Sequence, residues 1–299
     1  MAYGGPNSLA DVPEFLRDIR HGRPTPQALI DEITENYRQI GGKSPLLDLT
    51  RRQAAALERQ LNGNNGKHYK TYIGMRHWTP WIKEAVDQMI ADGIQQAVAL
   101  VLAPHYSSIS VAKYFEKVEA AFAEHPHPFS YTAITSYHDH PLYIQALAER
   151  VENGLAAMPA NTLVIFSAHS LPARILAEGD PYDAQLHETA ALIAQKAGLA
   201  DDQWTFSYQS AGRSPEPWLG PQLQDYIVEL GEKGHRNLLS VPIGFVADHV
   251  EILFDIDIMA QRVAKSLGIR LERVPSLNDD PLFISALADL VQKYEKVHK

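Results

Sequence analysis

Short, continuously apolar runs recur along this chain, each separated from the next by a segment of helical pattern. They are clearest in "QAVALVLAPH", "TLVIFSAHS" and "NLLSVPIGF", and weaker in "KTYIGM", "FSYTAITSY", "WTFSYQS" and "IRLERVPS". An apolar run without alternation suits a strand covered on both faces. Between the runs lie amphipathic stretches such as "WIKEAVDQMIADG" and "DPYDAQLHETAALIAQKAG". In the second, Asp180 and Pro181 supply an N-cap and first-turn pair, and Gly198 closes the helix. Strands alternating with helices predict a parallel, doubly wound α/β architecture.

The 299 residues suffice for about two domains, and 45% of them are apolar, so each half can build a core. The halves echo one another. Pro80-Trp81 opens a predicted helix that ends at Gly93 and leads to a strand. Pro217-Trp218 opens another that reaches Gly234 and again leads to a strand. Two similar Rossmann-like lobes are expected, 1–133 and 134–299, with the crossover within Ser130–Asp139 and a cleft between them. In open α/β sheets, ligands bind beyond the carboxyl ends of the strands. The loops that carry His105 and lead to His249 lie there. One feature breaks the pattern. "MAYGGPNSLADVPEFLRDI" opens on a glycine-rich loop and passes straight into a helix, where a doubly wound lobe has a strand first. The first strand of the N-terminal lobe is therefore expected to be missing, which leaves Tyr3 on a frayed end.

A formal net charge of −9 argues against a broad polyanion-binding surface, so nucleic acid and anionic membrane are not expected partners. The sequence contains no cysteine, which excludes disulfides, thiolate zinc sites and a cysteine-bound iron–sulfur cluster. No apolar run approaches the roughly 20 residues of a spanning helix, and the first residues do not read as a signal peptide. A soluble, cytoplasmic protein is expected. No G-x-G-x-x-G follows a strand, and there is no P-loop, H-E-x-x-H helix or G-x-S-x-G elbow.

The stretch "GFVADHVEILFDID" concentrates the chemistry. Glu251 and Asp255 are four residues apart, so on an α-helix they share a face. Val250, Ile252, Leu253, Phe254, Ile256, Ile258 and Met259 point in nearly every other direction, which predicts a buried helix. The two carboxylates must then be paired, protonated or turned to a wet cavity; an ordinary ion pair or solvated stripe is the competing reading. Asp248 is placed as the helix cap. His169 stands at the carboxyl end of the run "TLVIFSAHS", where a packed structural histidine is the alternative. Taken together, a neutral imidazole and a carboxylate at neighbouring strand ends can accept protons or bind a divalent metal.

The motifs "AYGGPNSL", "IRHGRPTP", "YRQIGGKSPLLDLT", "LAPHYSSIS", "FSAHSLP", "GDPYDAQLHETA", "YQSAGRSPEPWLGP" and "GFVADHVEILFDID" resemble those of the ferrochelatases, in order and over nearly the whole chain. They look most like the soluble coproporphyrin III enzymes of Gram-positive bacteria. The resemblance implies two Rossmann-like lobes around a porphyrin and insertion of ferrous iron in haem biosynthesis. It implies His169 and Glu251 as the catalytic pair and iron site, with Asp255 as a further candidate ligand. It implies Tyr3 across the macrocycle from His169, and Arg20, Tyr37, Ser44, His105 and His138 as porphyrin contacts. Iron is then a substrate, no cofactor is permanently bound, and a monomer is expected. Met259 stands where a further acid often continues the charged track, so no second, outer cation site is expected. A chelatase for another metal and tetrapyrrole, or a non-catalytic haem or porphyrin binder, remains an alternative.

Overall fold

The computed structural model describes residues 1–63, 68–126 and 128–295. In chain order these form α1 (Val12–Ile19), α2 (Gln27–Gln39), α3 (Leu46–Asn62), α4 (Ile82–Ala91), β1 (Gln96–Leu100), α5 (Ala112–Phe122) and β2 (Ser130–Ile134). Then follow α6 (Pro141–Ala156), β3 (Leu163–His169), α7 (Arg174–Ala177), α8 (Tyr182–Lys196), β4 (Trp204–Gln209), α9 (Leu223–Glu232) and β5 (Asn237–Pro242). The chain ends with α10 (Val250–Leu253), a π-helical turn over Asp255–Ala260, α11 (Gln261–Ser266), β6 (Arg270–Arg273) and α12 (Pro281–Glu295). No helix among the described residues is long and apolar enough to cross a membrane.

Two compact units result. One comprises Met1–Ser136, Ala247–His249 and Asn278–Lys299; the other comprises Tyr137–Val246 and Val250–Leu277. The first break thus falls at Ser136/Tyr137 rather than at 133/134, and the last segment of the chain belongs to the first unit. The reason lies in α12. Its buried residues, among them Phe283, Ile284, Leu287 and Val291, form an apolar face, and the helix packs on α3, β1 and β2.

The second unit carries a four-stranded parallel sheet of order β4-β3-β5-β6. β3 lies inside it and is buried at every residue before His169. That is the expected outcome for an unbroken apolar run, because both faces of a parallel strand are covered. On one face Leu163 and Ile165 pack with Leu223, Ile227, Leu238, Ile252, Ile256 and Ala260.

The first unit carries a smaller parallel sheet, β1-β2. The predicted strand in "KTYIGM" is not formed as a strand: only Met75 makes ladder bridges, to Ala2 and Trp81. Met1 and Ala2 are held firmly. The Met1 amino group donates to Leu100 O at 2.6 Å, and Leu102 N–H donates to Met1 O at 2.8 Å. Ala2 N–H donates to Gly74 O at 3.2 Å, and Arg76 N–H donates to Ala2 O at 2.9 Å. Tyr3 therefore follows a pinned segment, not the frayed end expected from the sequence.

The internal echo is real but set differently. α9 begins at Leu223, five residues beyond Trp218, so Pro217-Trp218 does not open it. Met75 bridges Trp81 before α4, and Tyr208 bridges Gln222 before α9. Pro80-Trp81 thus corresponds to Pro221-Gln222, the same distance ahead of Gly93 and Gly234 respectively.

Candidate active site

β3 delivers His169 to the carboxyl edge of the sheet, where its side chain is 33% exposed. α10 presents Glu251, 30% exposed, and its Oε2 lies 2.9 Å from His169 Nδ1. A carboxylate only accepts, so Nδ1 carries the proton and Nε2 the lone pair in the neutral ring. Burial pulls the His169 pKa down, but the Glu251 charge, its hydrogen bond and the Asp255 charge together outweigh it. The net direction is above the ordinary value. Tyr182 OH donates to His169 O at 2.9 Å, and burial raises its own pKa, which keeps the phenol a donor.

Glu251 is held at its main chain by Gln209, which in β4 pairs with His169. Fully buried, it donates from Nε2 to Glu251 O at 2.7 Å and accepts at Oε1 from Ser167 Oγ at 2.9 Å. Gly244 lets this corner close: a Cβ there would stand 2.7 Å from Ala168 Cβ. Next to Gln209, Ser210 adopts φ 58°, a left-handed conformation costly for a residue with a side chain, and its hydroxyl bonds the Asp255 carboxylate.

The stretch after Glu251 is not the regular buried helix expected. Met259 N–H bonds Phe254 O at 2.9 Å, an i→i+5 turn, and π-turns of this kind are frequent at functional sites. Only Ile252, Ile256 and Ala260 reach the core, while Leu253, Phe254, Ile258 and Met259 remain partly or largely exposed. Asp255 carries the Ser210 contact. Among the described residues no three His, Asp or Glu side chains cluster closely enough to hold an ion. Asp257 instead pairs with Arg273, at 2.6 Å to Nε and 2.8 Å to Nη2. Asp248 exchanges two bonds with Asn278, its N–H donating at 3.0 Å and its carboxylate accepting at 2.9 Å.

The remaining sequence candidates divide by unit. In the first, Tyr3 is 43% exposed and its ring lies 4.6 Å from that of His77. His77 is buried, its N–H donates to Tyr3 O at 2.8 Å, and its Nδ1 lies 2.7 Å from Asp18 Oδ2. Burial is the main cause of its pKa falling to about 4, so the ring is neutral and donates to Asp18. Tyr37 and Ser44 are buried beneath the glycine-rich loop after Tyr3. Ser44 N–H donates to Pro6 O at 2.8 Å, and a Cβ on Gly5 would stand 2.6 Å from Ser44 Oγ. His105 is only 2% exposed. These three present little surface, so any part they take in binding runs through the loops they hold. Arg20 is partly exposed. Its Nη2 makes a long 3.3 Å bond to Pro24 O, and its enclosed Nε has no hydrogen-bond partner among the described residues. In the second unit, His138 Nε2 lies 3.0 Å from Glu188.

Reading the sequence missed Gln209, Ser210, Tyr182 and His77. The first three stand inside the quoted motifs "YQSAGRSP" and "GDPYDAQ", so the motifs held them without showing which atoms they would serve. His77 carries no local signal; only the fold brings it under Tyr3.

The comparisons with known proteins agree with this geometry. The Ferrochelatase family model matches residues 1–295. A ferrochelatase of Deinococcus radiodurans is 57% identical over 297 residues, covering 98% of this chain and 94% of that protein. A coproporphyrin III ferrochelatase of Geobacillus thermodenitrificans is 44% identical over 299 residues, again covering 98% and 94%. The cobalt complex of the sirohydrochlorin chelatase SirB from Bacillus subtilis subspecies spizizenii superposes with a TM-score of 0.57. It covers 82% of this chain and 89% of that one at 10% identity, a likeness of fold alone. With two parallel α/β units, and a family match that reaches from the first residue through the last described helix, the chain belongs to the ferrochelatase family.

Proposed function

We propose that the protein inserts ferrous iron into coproporphyrin III, with His169 as proton acceptor and Glu251 as its partner. The observation that carries this reading is the 2.9 Å pair at the end of the buried strand β3. In the reaction two pyrrole N–H bonds break, four Fe–N bonds form and two protons leave, with no change in oxidation state. A base that is neutral near pH 7 is needed beside a group that can stabilise it once charged. His169 offers the Nε2 lone pair, and Glu251 compensates the imidazolium. Glu251 and Asp255 then give protons a polar way out. An imidazole and a carboxylate are also ligands that ferrous iron accepts in passing.

Tyr3 supplies an aromatic surface for the macrocycle, and the partly exposed Arg20 guanidinium a cation for a propionate. Coproporphyrin III carries four propionates and protoporphyrin IX two, so a cationic contact such as Arg20 favours the former. The relative at 44% identity bears the coproporphyrin III name. The test is anaerobic incubation with ferrous iron and each porphyrin in turn, followed by absorbance. Coproporphyrin III should turn over faster, and Arg20→Ala should raise its KM while kcat holds. Equal efficiency on both porphyrins, unaffected by Arg20→Ala, would remove the preference.

A further inference from the structure

The π-turn after Glu251 is tied to both edges of the second sheet. That sheet runs β4-β3-β5-β6, so β4 and β6 are its edge strands. The Asp255 carboxylate is bonded by Ser210, the residue that follows β4. The Asp257 carboxylate is bonded by Arg273, the last residue of β6. Residues two apart on a helical turn do not face each other, so the two carboxylates point to different sides. Ile256 stands between them and packs in one cluster with Leu163 and Ile165 of β3 and Leu238 of β5. The tripeptide Asp-Ile-Asp is therefore a strap. Its ends are fastened to the edge strands and its middle is pressed onto the inner ones.

A π-turn needs such fastening. It holds one more residue in each hydrogen-bonded ring than an α-helix does, and it persists only where the surroundings keep the extra residue in place. Here Met259 N–H bonds Phe254 O at 2.9 Å, where an α-helix would use Asp255 O. Asp255 O accepts from Gln224 Nε2 of α9 at 3.3 Å. Just past the turn, Gln261 Nε2 donates to Leu271 O of β6 at 2.8 Å. The β6 edge thus holds the turn through Asp257 and through Gln261. The β4 edge holds it through Ser210, next to the Gln209 that bonds Glu251 O.

Among these ties the Arg273 pair carries most directional information. Its Nε and Nη2 bond the two Asp257 oxygens at 2.6 and 2.8 Å, a bidentate fork. The arginine side chain is only 13% exposed, and its Nη1 donates to Val274 O at 3.0 Å. The guanidinium is thus held by its own strand end and presents a fixed plane to the aspartate. A planar fork sets direction as well as distance, which a lysine cannot do. Asp255 is two residues from Asp257, and Glu251 is six. A turn that slips by one residue at Asp257 would carry Asp255 off Ser210 and pull on the four-residue helix that bears Glu251.

We propose that Arg273 is a positioning residue for the reaction: from the far edge strand it fixes the register of the π-turn, and through the turn the placing of Asp255 and Glu251 beside His169. The inference rests on the roles proposed above for His169 and Glu251. It adds a residue that acts through Asp257 and the turn rather than on the substrate.

Three variants of the full chain test this. Arg273→Met removes the fork and leaves Asp257 behind. Arg273→Lys keeps the charge without the fork. Arg273→Met with Asp257→Leu removes both charges. Losing one partner of an enclosed ion pair is destabilising, whereas replacing both by apolar residues is often neutral. The double variant should therefore melt within roughly 4 °C of the native protein, and Arg273→Met should melt lower. Assayed below every melting transition, the double variant should still lose about ten- to hundredfold in kcat with KM for the porphyrin little changed. Amide exchange at Met259 should quicken at least about tenfold, while Leu239 in β5 keeps its native protection. The His169 Nδ1–H resonance, which reports the contact with Glu251, should move upfield or broaden. Arg273→Lys should show the same changes in smaller degree, and it carries the test if the double variant does not fold. Native exchange at Met259 with an unmoved Nδ1–H resonance overturns the proposal. So does a kcat that recovers together with Tm, since Arg273 would then serve stability alone. The exchange and the resonance need no turnover. A native protein that inserts no iron would sink the functional reading, and these two measurements would still decide whether Arg273 places the His169–Glu251 pair.

Discussion

His169 Nδ1 and Glu251 Oε2 stand 2.9 Å apart, one at the end of a buried strand and the other at the start of a four-residue helix. The short distance fixes the tautomer, raises the basicity of the ring and leaves Nε2 free to act. The consequences can be measured one residue at a time.

Removing either partner should stop chemistry while leaving binding. His169→Ala and Glu251→Gln are expected to lose ~10²–10⁴ in kcat, the usual contribution of a positioned base. Porphyrin affinity, followed by fluorescence quenching, should change little. Near-normal turnover by either variant would take that residue out of the mechanism.

Glu251→Gln also changes how His169 titrates. The carboxylate is what lifts its pKa against burial, so the variant should titrate at lower pH than the native protein. Linkage gives the sign. A raised folded pKa contributes stability that is present below the unfolded value of about 6.5 and lost as pH rises through the folded value. In the variant that loss with rising pH should vanish. The His169 ring resonances, titrated by NMR, read the shift directly.

Gln209→Leu isolates positioning from chemistry. It leaves Ser167 Oγ and Glu251 O without the partner they now share. Stability should fall by ~1–3 kcal/mol for each buried group left unpaired. A displaced Glu251 should cost up to ~10² in kcat. Gln209→Glu keeps the acceptor but not the donor, so the Ser167 contact should survive and the Glu251 contact should not. A merely structural role for Gln209 would lower Tm without moving the His169 titration.

Gly244→Ala tests the tight corner. The added methyl meets Ala168 Cβ at 2.7 Å, in backbone that leads directly to His169. Overpacking of this kind costs ~1–3 kcal/mol. Thermal melting and iron insertion should decline together, and a fully active variant would mean that the corner relaxes without moving the histidine.

A buried neutral base should make the protein sensitive to acid. His77 titrates at about 4 in the folded state, below its ordinary value of 6.5. The unfolded chain therefore binds more protons between those values, and stability falls as pH falls through that window. At 1.36 kcal/mol per unit the loss is of order 3 kcal/mol. His77→Gln can still donate to Asp18 and should flatten the lower part of the slope, read as Tm against pH.

The sequence by itself determined the layered α/β class and six of the strands, and it marked a strand-end histidine and the carboxylates around "FDID" as candidates, whose specific pairing only the family resemblance implied. Those follow from local rules. Unbroken apolar runs must be covered on both faces, and ionisable groups among apolar ones need partners. What only the tertiary structure decided is which distant atoms meet. α12 joined the first unit because its apolar face finds α3 and the β1-β2 sheet, a match that no spacing along the chain encodes. The π-turn after Glu251 let Ile252, Ile256 and Ala260 reach the core while Asp255 bonded Ser210, which α-helical periodicity does not anticipate. His77 came to lie under Tyr3, and Gln209 behind Glu251, through strand pairings between residues far apart in sequence. Hydrogen bonds of that kind depend on register, and register is set by the packing of the whole sheet.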